Sequence, residues 1–170
     1  MLALRGRRLP ALFIGWMIAL VVVVAPAAAG VLDGVVRIAV SVDIEHPVEG
    51  MAADALGRRL AAFLVDLAPG LAFDAASPDR LRLTVAVRPH SSSALRGFYL
   101  PFSATYAIGT VRLSLEHAVH LPGRAPRTVP AIVWQGERAV ATRRAAAGAA
   151  IDGAVAELLE ALKTAVVGGR

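Results

Sequence analysis

His90 and the three serines that follow it are residue types that together suggest chemistry. A histidine can act as general base toward a serine nucleophile, which would make the protein a hydrolase. Neighbours in a loop seldom align for proton transfer, however, and no Gly-x-Ser-x-Gly elbow surrounds these serines. Small polar residues after Pro89 are also common in turns. We therefore predict a turn and a protein that is not an enzyme, with hydrolysis as the alternative.

Glu116, His117 and His120 are residue types that bind zinc. Residues three apart share a face on a helix but point to opposite faces on a strand. The apolar alternation just before Glu116 predicts a strand, so we expect no metal site here and no cofactor. Recruitment of His46 or His90 by folding is the alternative.

Other charged residues have simpler interpretations. Asp43 and Glu45 lie two apart, so they can share a face for acid and base work. At the end of a strand before a proline, a solvated edge or a charge near a helix N-terminus is the favoured interpretation. Two basic pairs are expected on solvated helix faces, with lipid headgroups or a partner's carboxylates as alternatives; they are Arg58 with Arg59 and Arg143 with Arg144.

Aromatic residues are concentrated between His90 and Gly109, and the apolar phase changes at that glycine. A bulge at Gly109 would let the residues on both sides face one core. Alternatively, a new strand begins near Ser103 and leaves Tyr106 and Ile108 on the opposite face. Trp134 is either a core residue at a sheet edge or an interface anchor. The candidate partner or ligand surface comprises Phe98, Phe102, Tyr106, Ile108 and Trp134.

The elements that position these residues follow from periodicity. Strict alternation predicts strands over residues 35–44 and 81–88, the second ended by Pro89. Further strands are expected around residues 111–115 and 131–140, with a possible hairpin return at Gly136. Apolar residues at helical spacing predict one helix ending at Pro69 and a second that begins at Thr142 as N-cap.

This order predicts an α+β fold: a two-layer sandwich of about four mostly antiparallel strands with two helices on one face, in the order β-α-β-β-β-α. We assign residues 30–167 to one domain and residues 168–170 to a flexible tail. The order resembles that of small extracytoplasmic accessory domains of envelope transport and assembly complexes, including lipoproteins. The lipoproteins' cysteine is absent, since the chain has no cysteine.

Residues 1–29 have the pattern of an export signal. Arg5, Arg7 and Arg8 precede an apolar run over residues 11–24, and small alanines follow Pro26. We expect cleavage near Ala29 and a periplasmic or extracellular domain, with an uncleaved inner-membrane anchor as the alternative.

Charge argues against nucleic acid as a partner. The chain carries 18 basic and 13 acidic side chains, and the three arginines of residues 1–29 would leave with the leader. The remaining 15 basic side chains give a net charge of only +2. We expect a non-enzymatic accessory domain that binds an envelope protein partner, with a carrier or sensor of a small apolar ligand as the alternative.

Overall fold

Strands and helices account for most of the chain that a computed structural model describes, residues 31–91, 105–121 and 127–168. β1 (Arg37–Ile44) is followed by α1 (Ala53–Leu67), a two-residue β2 (Ala72–Phe73) and β3 (Arg80–Ser91). The long strands β4 (Thr105–Leu121) and β5 (Arg127–Arg143) come next, and a 3₁₀ turn (Arg144–Ala146) leads into α2 (Ala147–Gly168).

The five strands form one mixed sheet in the order β2-β1-β3-β4-β5. β1 pairs in parallel with β2 and β3, whereas β3–β4 and β4–β5 are antiparallel. The predicted sheet of about four mostly antiparallel strands is therefore matched only in part, because the sheet has five strands and is mixed. The chain reaches β3 from β1 through α1, and a helical crossover of this kind joins parallel strands. Two residues are too few for β2 to show any periodicity.

Both helices pack against one face of this sheet, which confirms the predicted α+β sandwich. α1 contacts β1, and α2 contacts β4 and β5. Alternate residues of the central strands are buried against the apolar stripes of the helices, as a period of two on strands and of 3.6 on helices requires. The core includes Ile38, Leu81, Leu83, Val85, Val111, Leu113 and Leu115 from the sheet and Leu56, Leu60, Leu64, Ile151, Val155, Leu158 and Leu162 from the helices.

Two predicted breaks in the strands do not occur. β3 continues through Pro89, which pairs with Ala107. The last pair between β1 and β3 joins Ile44 to Val85, so no strand lies beside Pro89 on that side and its missing N–H leaves no β1 partner unsatisfied. β5 likewise continues through Gly136 and includes Thr142, so α2 begins later than predicted.

The pairing of β3 with β4 is uninterrupted at Gly109, which lies opposite Val87. There is no bulge at this glycine, and the second of the two predicted arrangements is observed. The register shift of β4 lies instead between Leu115 and Glu116, where Val133 is the extra residue of β5. Tyr106 and Ile108 therefore lie on the face of the sheet that is turned away from the helices.

No helix in the described ranges is long and apolar enough to cross a membrane.

Candidate interaction surface

The face of the sheet opposite the helices, here called the open face, is built from the alternate residues of β3, β4 and β5 that do not enter the core. The registers place these residues in rows across the three strands. From the end of the sheet where β3 stops, the first row is His90, Tyr106 and Arg143. The following rows are Arg88, Ile108 and Ala141, then Ala86, Thr110 and Ala139, then Thr84, Arg112 and Glu137, and then Arg82, Ser114 and Gln135.

The first two rows expose large apolar side chains to solvent. Tyr106 is 38% exposed and Ile108 49% exposed, and they are two residues apart on the same strand and face. Single exposed apolar residues are ordinary, but adjacent ones form a local patch. We call the six residues of these rows the Tyr106 patch: Arg88, His90, Tyr106, Ile108, Ala141 and Arg143.

Two arginines of the patch flank its apolar side chains. Arg143 lies directly opposite Tyr106 and makes no ion pair with any described residue. Arg88 lies opposite Ile108, and its Nη2 is 3.7 Å from Glu45 Oε2, with the arginine side chain 71% exposed. An exposed pair at that distance contributes little energy. Both guanidinium groups are therefore available to a carboxylate outside the chain.

In the middle of the open face, the charged side chains pair with one another. Arg112 Nη2 and Nε lie 2.7 and 2.9 Å from Glu137 Oε2, so the two residues of one row form a close ion pair. In the rows beyond it, Arg82 Nε lies 3.9 Å from Glu116 Oε1. Ser114, between these pairs, is only 6% exposed. The Tyr106 patch thus combines an arginine without a described ion pair with two adjacent exposed apolar side chains. Ile132, which is 59% exposed, lies further along the same face, in the row of Arg80 and Glu116.

The structure brings together only part of the predicted surface. Tyr106 and Ile108 lie side by side, whereas Phe98 and Phe102 lie outside the described residues. Trp134 lies opposite Leu115 and packs against the core from the helix-covered face. Tyr106 and Trp134 are therefore on opposite faces of the sheet and do not line a common pocket.

A small pocket of about 40 Å³ lies near the patch, at the helix-covered end of β3. It is lined in part by Glu49, Val87, Arg88, Ala107 and Arg144. Such a volume accommodates one or two water molecules. Neither Tyr106 nor Ile108 lines any of the pockets found among the described residues.

The described residues form no catalytic group around His90. It lies on β3 opposite Tyr106 and is exposed, not in the predicted loop, because β3 continues past Pro89. Ser92 and Ser93 lie outside the described residues, so the predicted alternative of a histidine and serine pair falls partly beyond them.

His117 and His120 point to opposite faces of β4. His117 Nδ1 lies 3.2 Å from Asp79 Oδ1, and its Nε2 lies 3.2 Å from the carbonyl oxygen of Val31. His120 Nδ1 instead contacts the Thr128 hydroxyl at 2.9 Å. Among the residues described here, no three histidine or acidic side chains are grouped as metal ligands would be.

Asp79 is a structural residue that the sequence gives no local reason to select. Its carboxylate accepts a hydrogen bond from the Ala118 amide at 2.9 Å, and its carbonyl accepts one from Ala39 at 2.8 Å. We call Asp79, His117, Ala118 and Val31 the Asp79 cluster. It joins the start of β3 to β4 and to the first described residue of the chain.

The remaining predicted charges are at the surface. Asp43 is exposed at the end of β1, and Glu45 contacts Arg88. Arg59 on α1 lies 3.5 Å from Asp152 on α2, whereas Arg58 has no ion pair among the described side chains. The second basic pair does not lie on the last helix, because Arg143 ends β5 and Arg144 begins the 3₁₀ turn.

Comparison with models of known protein families found no match to this chain, and comparison with curated proteins found none either.

Proposed function

We propose that this protein is an exported, non-enzymatic accessory domain that binds a protein partner in a transport or assembly complex of the cell envelope. The observation that carries the proposal is the Tyr106 patch, where two exposed apolar side chains adjoin an arginine without an ion-pair partner. Tyrosine and arginine are enriched at protein interfaces because each combines a large contact area with directed hydrogen bonds.

The form of the patch favours a macromolecule over a small ligand. Small-molecule sites are concave and enclose most of their ligand. The described patch instead lies on the open face of the sheet where β3 and β5 end and β4 begins, and Tyr106 and Ile108 line none of the described pockets. A protein surface with an apolar centre and carboxylates around it would be complementary to this patch, because Ile108 and Tyr106 lie between the guanidinium groups of Arg88 and Arg143.

The connection between β3 and β4 carries the remaining aromatic residues of the candidate surface. It leaves β3 after Ser91 and enters β4 at Thr105, so it is joined to the sheet at the same end as the patch. Phe98 and Phe102, the other aromatic residues of the candidate surface, belong to this connection. The pattern of residues 1–29 supports export, and an exported domain would meet its partner in the cell envelope.

Photocrosslinking in intact cells tests the proposal. A benzoylphenylalanine is placed at Ile108 in one strain and at Val65, on the outer side of α1, in another. These positions are matched, since Ile108 is 49% and Val65 50% exposed. We expect a reproducible adduct with an envelope protein from position 108 and none from position 65. No adduct from either position, or the same adducts from both, would refute binding through the Tyr106 patch.

A further inference from the structure

Exposed apolar side chains are concentrated at the end of the domain opposite the Tyr106 patch. β1 and β3 begin at this end and β4 finishes there, so we call it the leader end. Val36 precedes β1 and is 70% exposed, while Val119 and Leu121 near the end of β4 are 39% and 48% exposed. Val167 at the end of α2 is 57% exposed. The start of α2 lies near Glu49, because Gly148 approaches that residue. The middle of α2 lies beside β5, because Glu157 contacts Arg138, so the helix runs toward the leader end.

β4 and β5 extend beyond the rest of the sheet at this end. The first residue of β3, Arg80, pairs with Glu116, but the pairing of β4 with β5 continues for five more residues, to Leu121 opposite Arg127. Five residues of strand span on the order of 15 Å. This two-stranded extension, residues 117–121 and 127–131, therefore projects past β3 and carries Val119 and Leu121 on its surface.

The chain that precedes the domain joins it at the base of this extension. The Val31 carbonyl accepts a hydrogen bond from His117 Nε2 at 3.2 Å, and Val31 and Leu32 pack against the core. The Asp79 carboxylate holds the other side of the same imidazole. The chain is therefore tied to the folded domain from Val31 onward, two residues after the leader ends.

Only a short stretch separates the apolar run of the leader from Val31. The run covers residues 11–24, so residues 25–30 form the whole connection. Six extended residues span at most about 20 Å. A leader retained in a bilayer would hold the leader end within that distance of the hydrocarbon, which is comparable to the length of the β4–β5 extension.

From this geometry we infer that, when the leader is retained, the leader end lies on the bilayer surface with Val119 and Leu121 in the interfacial region. The lipid surface covers the exposed apolar side chains that neither helix reaches. The sheet then stands away from the membrane, and the Tyr106 patch faces outward at the far end. This inference does not depend on which partner binds the patch.

Site-specific fluorescence on the full chain tests the orientation. Because the chain contains no cysteine, Leu121→Cys and Ile108→Cys each accept a single environment-sensitive dye. These positions are matched in exposure, at 48% and 49%. The chain, leader included, is made by cell-free synthesis with vesicles of phosphatidylethanolamine and phosphatidylglycerol, some containing brominated lipids.

We expect blue-shifted emission and quenching by brominated lipid for the dye at position 121, and neither effect at position 108. A Val119→Cys variant should behave as Leu121→Cys does. If the dyes at positions 119 and 121 remain in water, the inference is wrong and the leader end is free to contact protein instead. Stronger quenching at position 108 would also overturn it. Neither result would affect the crosslinking test of the Tyr106 patch.

Discussion

Gly109 on β4 and Ala86 on β3 approach so closely that a Cβ at position 109 would overlap the Ala86 carbonyl oxygen. The same Cβ would lie 2.6 Å from the Val87 Cα, so backbone on both sides of the peptide bond blocks it. The glycine at which the apolar phase changes is therefore required by the approach of two strands, and not by a bulge.

Gly109→Ala should destabilise the fold by about 3 kcal/mol, because the obstructing atoms belong to the backbone and cannot rotate away. Gly153→Ala on α2 is the matched control. A Cβ there meets nothing within 4 Å, and replacing a helical glycine by alanine should stabilise the protein by about 1 kcal/mol. Urea unfolding measures both. Equal stabilities of the two variants would contradict the close approach of β3 and β4.

Asp79→Ala should lower the free energy of unfolding by about 2 kcal/mol, because the partly buried Ala118 amide and His117 lose their acceptor. Asp79→Asn keeps one oxygen acceptor and should lose about half as much. Asp74→Ala serves as the control, since the Asp74 side chain forms exposed contacts with Ala76 and Arg37, and the backbone hydrogen bonds of this residue do not depend on its carboxylate. Thermal unfolding followed by circular dichroism would rank the three, and an Asp79 variant no weaker than Asp74→Ala would argue against the cluster.

Trp134→Ala should destabilise the protein by about 2 kcal/mol, less than a fully buried tryptophan would, because the ring is only partly buried. The ring lies above Gly136 beside Leu158, which links β5 to α2. Trp134→Phe should retain most of this contact. Denaturant midpoints of the two variants check the order, and an unchanged midpoint for Trp134→Ala would show that the ring contributes no packing.

Ile108→Asp should leave stability within about 1 kcal/mol of the parent, because Ile108 is exposed on the open face. It should nevertheless reduce the yield of the adduct formed from benzoylphenylalanine at Tyr106 to background, since the apolar centre of the patch is lost. Val65→Asp, at a position of equal exposure, should not change the yield. An undiminished adduct in the Ile108→Asp strain would remove that residue from the interface.

Glu137→Gln should cost less than about 1 kcal/mol, although Arg112 and Glu137 form the shortest ion pair on the open face of the described sheet. Both side chains are partly exposed, and water screens such pairs. Unfolding at low and high salt measures this. A loss well above 1 kcal/mol, insensitive to salt, would mean that the pair is effectively buried.

Much of the fold could be predicted from local periodicity. β1 and β3 alternate strictly, and the stripes of α1 and α2 recur at helical spacing, so the two-layer class follows from the residues alone. The pairing of strands is harder to predict from the sequence. Pro89 indicates a strand end by itself, yet β3 continues because β1 has already finished at Ile44. Only the tertiary arrangement decides whether a proline lies beside a partner.

The candidate site could also be predicted only in part. Alternation placed Tyr106 and Ile108 on one face but left open which face that was, and the register of β3 with β4 decides it. We included Trp134 in the predicted surface because of its residue type, but its side chain faces α2. The Asp79 cluster has no local signal, because Asp79 and His117 are 38 residues apart.

The central position of β3 has a consequence for the order in which the sheet can assemble. β3 joins a parallel unit on one side to an antiparallel meander on the other. The connections closed by the hairpins β3–β4 and β4–β5 are residues 92–104 and 122–126, whereas pairing β1 with β3 closes the longer connection of residues 45–79, which includes α1. Closing a longer connection costs more entropy. We expect amides of β4 and β5 to gain protection from hydrogen exchange before those of β1 during refolding, so that the meander is the template on which β1 docks.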